Sequence, residues 1–366
     1  MNKFLRPGLR GLKAYTPGEQ PRDKEYIKLN TNESPYMPGP KTLKALSLED
    51  MEDLRLYSDP TQLKLRKKVA LVYGEKAGIF LTEDNVFCSN GSDDIINFAF
   101  AAFVGREKKV IYPEISYGFY KVFAEFYGAD AVEAPMKEDF ALEVDAFKEK
   151  GYGLKIIANP NAPTGMTISI DEIKEILKSD REAVFLVDEA YIDFGGESAI
   201  SLLGEYDNLL VSRTFSKSFS LAGARLGFAL GSKEIIEALE LIKYSTNPYN
   251  VNRMTDRVGL AALEEEDYYN KNCEKIAKTR EETVERLEEE GFKILPSKAN
   301  FIFLKTSPYI SGEEAYLSLK ERGILVRWFN KEEIKDYLRI TIGKPEEMER
   351  LTEELIALKK QKGSGK

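Results

Sequence analysis

The sequence contains no histidine among its 366 residues. Catalytic triads, Cys/His pairs and most zinc sites rely on imidazole for proton transfer or ligation, so those reaction classes fall away together and no metal site is expected. Any acid–base chemistry must come from Lys, Tyr, Asp, Glu or a bound cofactor. Cysteine is nearly as scarce: Cys88 and Cys273 make no motif, which fits a reducing cytoplasm. No apolar run approaches the length that crosses a bilayer, and the opening MNKFLRPGLRGLKAY lacks an apolar signal-peptide stretch, so a soluble protein with no membrane partner is expected. The net charge of −8 argues against a general nucleic-acid surface while leaving room for a local basic pocket.

What is present is an ordinary globular composition, 43% hydrophobic and 31% charged, in a chain long enough for two packed units. Residues 1–40 are rich in Pro, Gly and Asn and read as an arm lying over the rest. Asp59-Pro60 opens the helix TQLKLRKKVALVYG, which Gly74 can close. Strands and helices then alternate: VFCS, SDDIINFAFAAFVG, KKVIYP, YGFYKVFAEFYG ending at Gly128, LKIIANP, a helix with a capping box at Ser169 and Glu172, AVFLVDEAY and NLLVSRTFS. Short apolar strands between helices predict an α/β fold with a mostly parallel sheet covered on both faces, and ligands at the carboxyl ends of its strands. This large unit is assigned to residues 41–245, and a smaller α/β unit to 246–366, beginning with a long charged helix.

Several residues at strand ends carry chemistry. Lys217 is flanked by Phe215, Phe219 and Leu221. Such walls desolvate an amine, lower its pKa and favour the nucleophilic neutral form, although a strand-end lysine is more often only a solvated charge. Asp188 ends AVFLVD, where it can face the ring nitrogen of a pyridine cofactor or simply cap a helix, and Tyr191 three residues on can reach the same ligand. Asn161, in ANPNAPTG, can offer its amide to a phenolic oxygen, though Asn-Pro turns commonly serve only the backbone. Tyr117 can stack on a flat heterocycle or pack the core. In S-N-G-S-D-D, Gly91 allows close backbone approach and the first helical turn attracts an anion, while Ser92 can alternatively serve as a cap. Ser216 and Arg225 can add donors to that anion site.

The segments N-P-N-A-P-T-G, D-E-A-Y, S-K-S-F-S-L-A-G-A-R-L-G and L-R-I-T-I-G, in this order, resemble the class I/II aminotransferases of fold type I, over roughly Tyr15 to Gly343. The resemblance implies pyridoxal 5′-phosphate as cofactor, carried on Lys217, which would also move the substrate Cα proton. It implies Asp188 at the pyridine nitrogen, Asn161 and Tyr191 at the phenolic oxygen, and Tyr117 stacked on the ring. Gly91, Ser92, Ser216 and Arg225 would hold the phosphate, and Asp93 belongs to the same cofactor-binding set. Tyr57 matches a tyrosine that enters the neighbouring subunit's site, which implies a homodimer. Arg339 matches the residue that grips the substrate α-carboxylate, with Asn161 beside it, and Arg327 with Tyr15 matches a site for a substrate phosphate.

The implied reaction exchanges an amino group between two small molecules, histidinol phosphate and 2-oxoglutarate. An aromatic or broad-specificity aminotransferase and a threonine-phosphate decarboxylase share the pattern. Some positions depart from the family's usual form: T-N-E-S-P-Y-M-P-G-P stands where N-E-N-P-Y-G-P-S-P is expected, Lys344 replaces a threonine, and N-K-E-E-I follows Arg327 where relatives often carry Pro-Arg. Added negative charge beside a phosphate pocket would disfavour a phosphorylated substrate.

Overall fold

The computed structural model describes residues 5–105, 107–306, 308 and 310–363. In chain order the strands are β1 (Ile27–Lys28), β2 (Val86–Ser89), β3 (Lys109–Pro113), β4 (Ala131–Ala134), β5 (Tyr152–Ala158), β6 (Val184–Asp188), β7 (Leu209–Thr214), β8 (Gly227–Gly231), β9 (Lys293–Ile294), β10 (Phe301–Lys305), β11 (Ile324–Leu325), β12 (Arg327–Trp328) and β13 (Tyr337–Thr341). The large sheet has the order β2-β8-β7-β6-β5-β3-β4. Its pairs are parallel except those of β8, which runs against both β2 and β7. The mostly parallel α/β fold read from the sequence is the one observed. Two further strands, β4 and β8, complete the sheet beyond those read from the sequence.

Along the central strands successive side chains enter opposite faces. Phe185 and Val187 join one apolar cluster and Leu186 the other; Leu209 and Val211 are divided from Leu210 in the same way. Helices Leu63–Ala77 and Ile170–Ser179 cover the first face, and Ser92–Phe103, Phe119–Tyr127 and Lys233–Thr246 the second. With both faces covered, each strand must be apolar throughout, and each fully buried side chain contributes about 1.5–3 kcal/mol. The capping box forms as read, with the Glu172 backbone N–H donating to Ser169 Oγ at 3.2 Å and the Ser169 N–H to the Glu172 carboxylate at 2.7 Å. Gly128 closes its helix at φ +66°. The first long helix instead begins at Leu63 and runs through Gly74 to Ala77, where Gly78 stops it. Asp59 and Pro60 lie in the preceding turn, and Asp59 accepts the N–H of Thr61 at 2.9 Å.

The smaller antiparallel sheet has the order β12-β13-β10-β9, and helices Glu266–Glu289, Gly312–Glu321 and Pro345–Gly363 bury its apolar side. The amino-terminal segment is tied to this unit: β1 pairs in parallel with β11, and Leu29 is part of its core. Val251, Ala262, Leu263 and Tyr269, beyond residue 245, pack into the large sheet's cluster. No helix among the described residues is long and apolar enough to cross a membrane.

Candidate active site

A cavity of about 400 Å³ opens at the carboxyl ends of the large sheet's strands, where the arm and the small sheet close over it. It is lined by Ser92 and Asp93 after β2, Tyr117 after β3, Ala158 and Ala162 around the end of β5, Asp188 and Tyr191 at β6, and Thr214, Ser216 and Lys217 at β7. From the other side come Tyr15, Asn30, Thr31 and Asn32 of the arm, with Arg327 of β12 and Arg339 of β13. A second chamber of about 350 Å³ shares Tyr15, Tyr117, Ala162, Arg327 and Arg339 with it, and is walled by Tyr112, Ile115, Phe329 and Ile334.

Lys217 donates to the Thr31 carbonyl at 3.2 Å, and its ammonium lies 5.7 Å from the centre of the Tyr191 ring. Burial, reinforced by the positive charge of Arg339, lowers its pKa to about 8. Asp188 is 4% exposed and accepts hydroxyl protons from Ser212 at 2.9 Å and Tyr120 at 3.2 Å. Burial nevertheless pushes its carboxyl up to about 6, because these hydroxyls and the Ala190 backbone N–H only partly replace water. A cation placed against it would reverse that shift.

The anion cradle forms at the amino terminus of helix Ser92–Phe103. Gly91, not Ser92, is its N-cap, with φ +84° and no side-chain cap bond, so the first-turn N–H groups are left for another acceptor. A Cβ on Gly91 would lie 2.7 Å from the Arg225 guanidinium, and at φ +84° any side chain there would strain the backbone. Arg225 donates to one oxygen of Asp93 at 3.2 Å and Tyr117 to the other at 2.7 Å. Ser216 is anchored beside them by a bond from the Thr214 hydroxyl at 3.0 Å.

Arg339 donates to the Asn30 carbonyl at 3.0 Å, and its Nε is buried without a partner. Arg327 holds the carbonyls of Thr16 at 2.7 Å and Pro17 at 3.0 Å, which fixes the arm that carries Tyr15. Tyr15 stacks on Phe119 at 4.4 Å and meets Tyr117 edge-on at 5.9 Å. Glu332 pairs with Lys335 and Glu333 with Lys331, and neither acid lines the two chambers, so the acidic stretch after Arg327 does not oppose a phosphate.

Asn161 and Tyr57 lie outside this cavity. Asn161 does not line the main cavity: its amide donates to the Ile115 carbonyl and to Thr164 Oγ1, both at 3.0 Å, and accepts from Ser116 at 2.7 Å. Those bonds brace the turn after β5, and the small side chain of Ala162 faces the cavity instead. Tyr57 is 78% exposed and stacks on Tyr249 at 4.4 Å, outside the chain's own cavity. Thr31, Asn32, Ser212 and Tyr120 were missed. The first two lie in a segment with no periodicity, and the last two act from within buried elements that read only as core.

A lysine, a buried carboxylate and an anion cradle converging at the ends of a mostly parallel sheet define an enzyme that anchors a small anionic cofactor on an amine. The family model for aminotransferase class I and II matches residues 24–355, and the chain belongs to that family. It is 45% identical over 356 residues to a histidinol-phosphate aminotransferase of Brachyspira hyodysenteriae, covering 97% of this chain and 98% of that one. It is 47% identical over 356 residues to the protein of that name from Syntrophus aciditrophicus, covering 96% of each. The fold matches the structure of histidinol-phosphate aminotransferase from Sinorhizobium meliloti in complex with pyridoxal-5′-phosphate, with a TM-score of 0.85, 21% identity and 99% of each chain covered.

The residues present fit pyridoxal phosphate. Among the described residues, the amine of Lys217 has only a backbone carbonyl to release, Asp188 is a buried acid with no paired cation, and the helix start at Gly91 with Arg225 supplies donors for a phosphate.

Proposed function

We propose that this chain transfers an amino group between histidinol phosphate and 2-oxoglutarate, with pyridoxal phosphate in the larger chamber, as a step of histidine biosynthesis. The observation that carries the reading is that Arg327 and Arg339 enter the same cavity as Lys217, so an amine and an anion grip act on one molecule. Relatives with that name at 45% and 47% identity support the substrate.

Bound at this site, the pyridine ring draws electrons from the substrate Cα and lowers the cost of removing its proton. Lys217 would anchor the cofactor through its amine and would serve as the base that removes and returns that proton. Its pKa of about 8 leaves a usable fraction of neutral amine near neutral pH. Asp188 holds a proton on the ring nitrogen and Tyr191 faces the phenolic oxygen. Tyr117 would stack on the ring, while Gly91, Ser92, Ser216 and Arg225 would hold the phosphate, with Asp93 steadying Arg225 and Tyr117. Arg339 grips the α-carboxylate of glutamate, and Arg327 with Tyr15 takes the substrate phosphate. Asn161 has no place in this set, since its amide is committed to the turn.

The chain acts as a homodimer in the cytoplasm, with Tyr57 completing the partner's site. Exposed Leu48, Met51, Leu54 and Leu56 lie in the same segment as Tyr57 and supply an apolar face for a second copy. The arm (1–40), the large unit (41–245) and the small unit (246–366) form the working division, with Tyr269 and its neighbours bridging the last two.

With cofactor added, histidinol phosphate and phenylalanine are compared as amino donors to 2-oxoglutarate. The expected kcat/KM is about 100-fold higher for histidinol phosphate, the equivalent of two charge-assisted hydrogen bonds at the low end of their range. Equal values would transfer the assignment to aromatic amino acids, and carbon dioxide release without an acceptor would transfer it to decarboxylation.

A further inference from the structure

With Asn161 turned away, the cavity lacks the amide expected beside Tyr191, and a different residue supplies one. Asn32 is 1% exposed and donates from Nδ2 to the Tyr191 hydroxyl at 3.0 Å. It sits in the left-handed region at φ +55°, which asparagine tolerates better than other non-glycine residues. Its carbonyl is held by Asn300 Nδ2 at 3.0 Å, and its side chain and N–H are held by Thr341.

These bonds form one chain from Thr341 through Asn32 to Tyr191. The Asn32 backbone N–H can only donate, and it donates to Thr341 Oγ1 at 3.0 Å. The threonine hydroxyl in turn donates to Asn32 Oδ1, also at 3.0 Å, and the amide NH2 faces Tyr191. Tyr191 oxygen then accepts, and among the described residues its hydroxyl proton meets no protein acceptor. That proton is available to an acceptor bound in the cavity, which Tyr191 lines.

We infer that Asn32 is a positioning residue that aims the Tyr191 proton at the cofactor's phenolic oxygen, replacing the amide that Asn161 does not provide. The inference rests on the reading that this cavity holds pyridoxal phosphate. A hydroxyl donated to the phenolic oxygen draws negative charge away from the conjugated system, so the bound chromophore gives up its proton at lower pH.

The test is a pH titration of the visible absorption of the cofactor-loaded protein, without substrate. Asn32→Ala is expected to raise the midpoint by about one pH unit, the scale of one hydrogen bond. Asn32→Asp keeps the size and the bond from Thr341 but turns the donor into an acceptor that draws the Tyr191 proton away, so its shift is at least as large. Asn161→Ala leaves the midpoint within about 0.2 units, and adding Asn32→Ala to Tyr191→Phe produces no further shift, because the effect passes through Tyr191. Midpoints unchanged in both Asn32 variants, an equal shift for Asn161→Ala, or a full additional shift in the Tyr191→Phe background would each overturn it. So would loss of cofactor uptake in both Asn32 variants while Tyr191→Phe still loads. A wild-type protein that takes up no cofactor would instead sink the proposed function.

Discussion

Arg327 and Arg339 stand directly opposite each other in the register of β12 and β13. Two like charges facing across an antiparallel pair destabilise a sheet, and burial adds to the cost at Arg339, whose pKa is lowered first by desolvation and further by Arg327 among its neighbours. Neither has a carboxylate partner among the described ion pairs; both are held by backbone carbonyls of the arm. An anionic ligand bound between the two guanidinium groups would offset that cost.

Substitution of these arginines separates the substrates. Arg339→Ala is expected to lower kcat/KM for glutamate and for the phosphorylated substrate by at least about 30-fold, since truncating a buried charged contact costs about 2–5 kcal/mol. Arg327→Ala is expected to harm the phosphorylated substrate far more than glutamate. Steady-state kinetics with both donors decides, and equal losses at Arg327 would remove its phosphate role.

The acid at Asp188 serves function against stability. A carboxyl whose folded pKa is raised to about 6 from 3.8 holds its proton more tightly folded than unfolded, so the cofactor-free protein loses stability as pH rises through that window. Asp188→Asn should therefore stabilise the empty protein at pH 7 by up to about 3 kcal/mol, with the gain vanishing below pH 4. The same variant should bind the cofactor more weakly. Denaturant melts at pH 4 and pH 7 check both arms, and a variant less stable than wild type at pH 7 would contradict the account.

Attachment of the cofactor should follow the free amine of Lys217. With its pKa lowered to about 8, the neutral fraction grows tenfold per pH unit below that value and levels off above it. The rate of visible-band formation after mixing should trace that curve; a midpoint near the ordinary lysine value would show that burial does not activate this amine.

Tyr57 gives a test of assembly. Mixing inactive Tyr57→Ala and Lys217→Ala subunits should restore activity, because a hybrid dimer holds one site with both native residues if the tyrosine crosses the interface. No restoration in demonstrated hybrids would place Tyr57 outside the partner's site.

Much of this was legible in the sequence for a physical reason. A strand covered on both faces must be a continuous apolar run, so β2, β3, β5, β6 and β7 announced themselves, and the residues just past them, from Ser92 to Lys217, could be placed at one end of a sheet. Gly128 and the Ser169–Glu172 box marked helix ends because capping is local chemistry. Asn161 was misplaced because one residue along a tight turn decides between the cavity and the turn's own hydrogen bonds, and spacing alone does not report which way the amide faces. The arm was harder still. Asn32 and Thr31 act through contacts with Thr341 and Lys217, more than 180 residues away in sequence, and no periodic signal links such partners.

The central claim is that the amine of Lys217 carries the cofactor. Borohydride reduction of the cofactor-loaded protein followed by peptide mapping tests it most directly. A pyridoxyl group on the peptide containing Lys217, absent in Lys217→Ala, is the predicted result; labelling of another lysine, or no label on a protein that turns yellow, would contradict it.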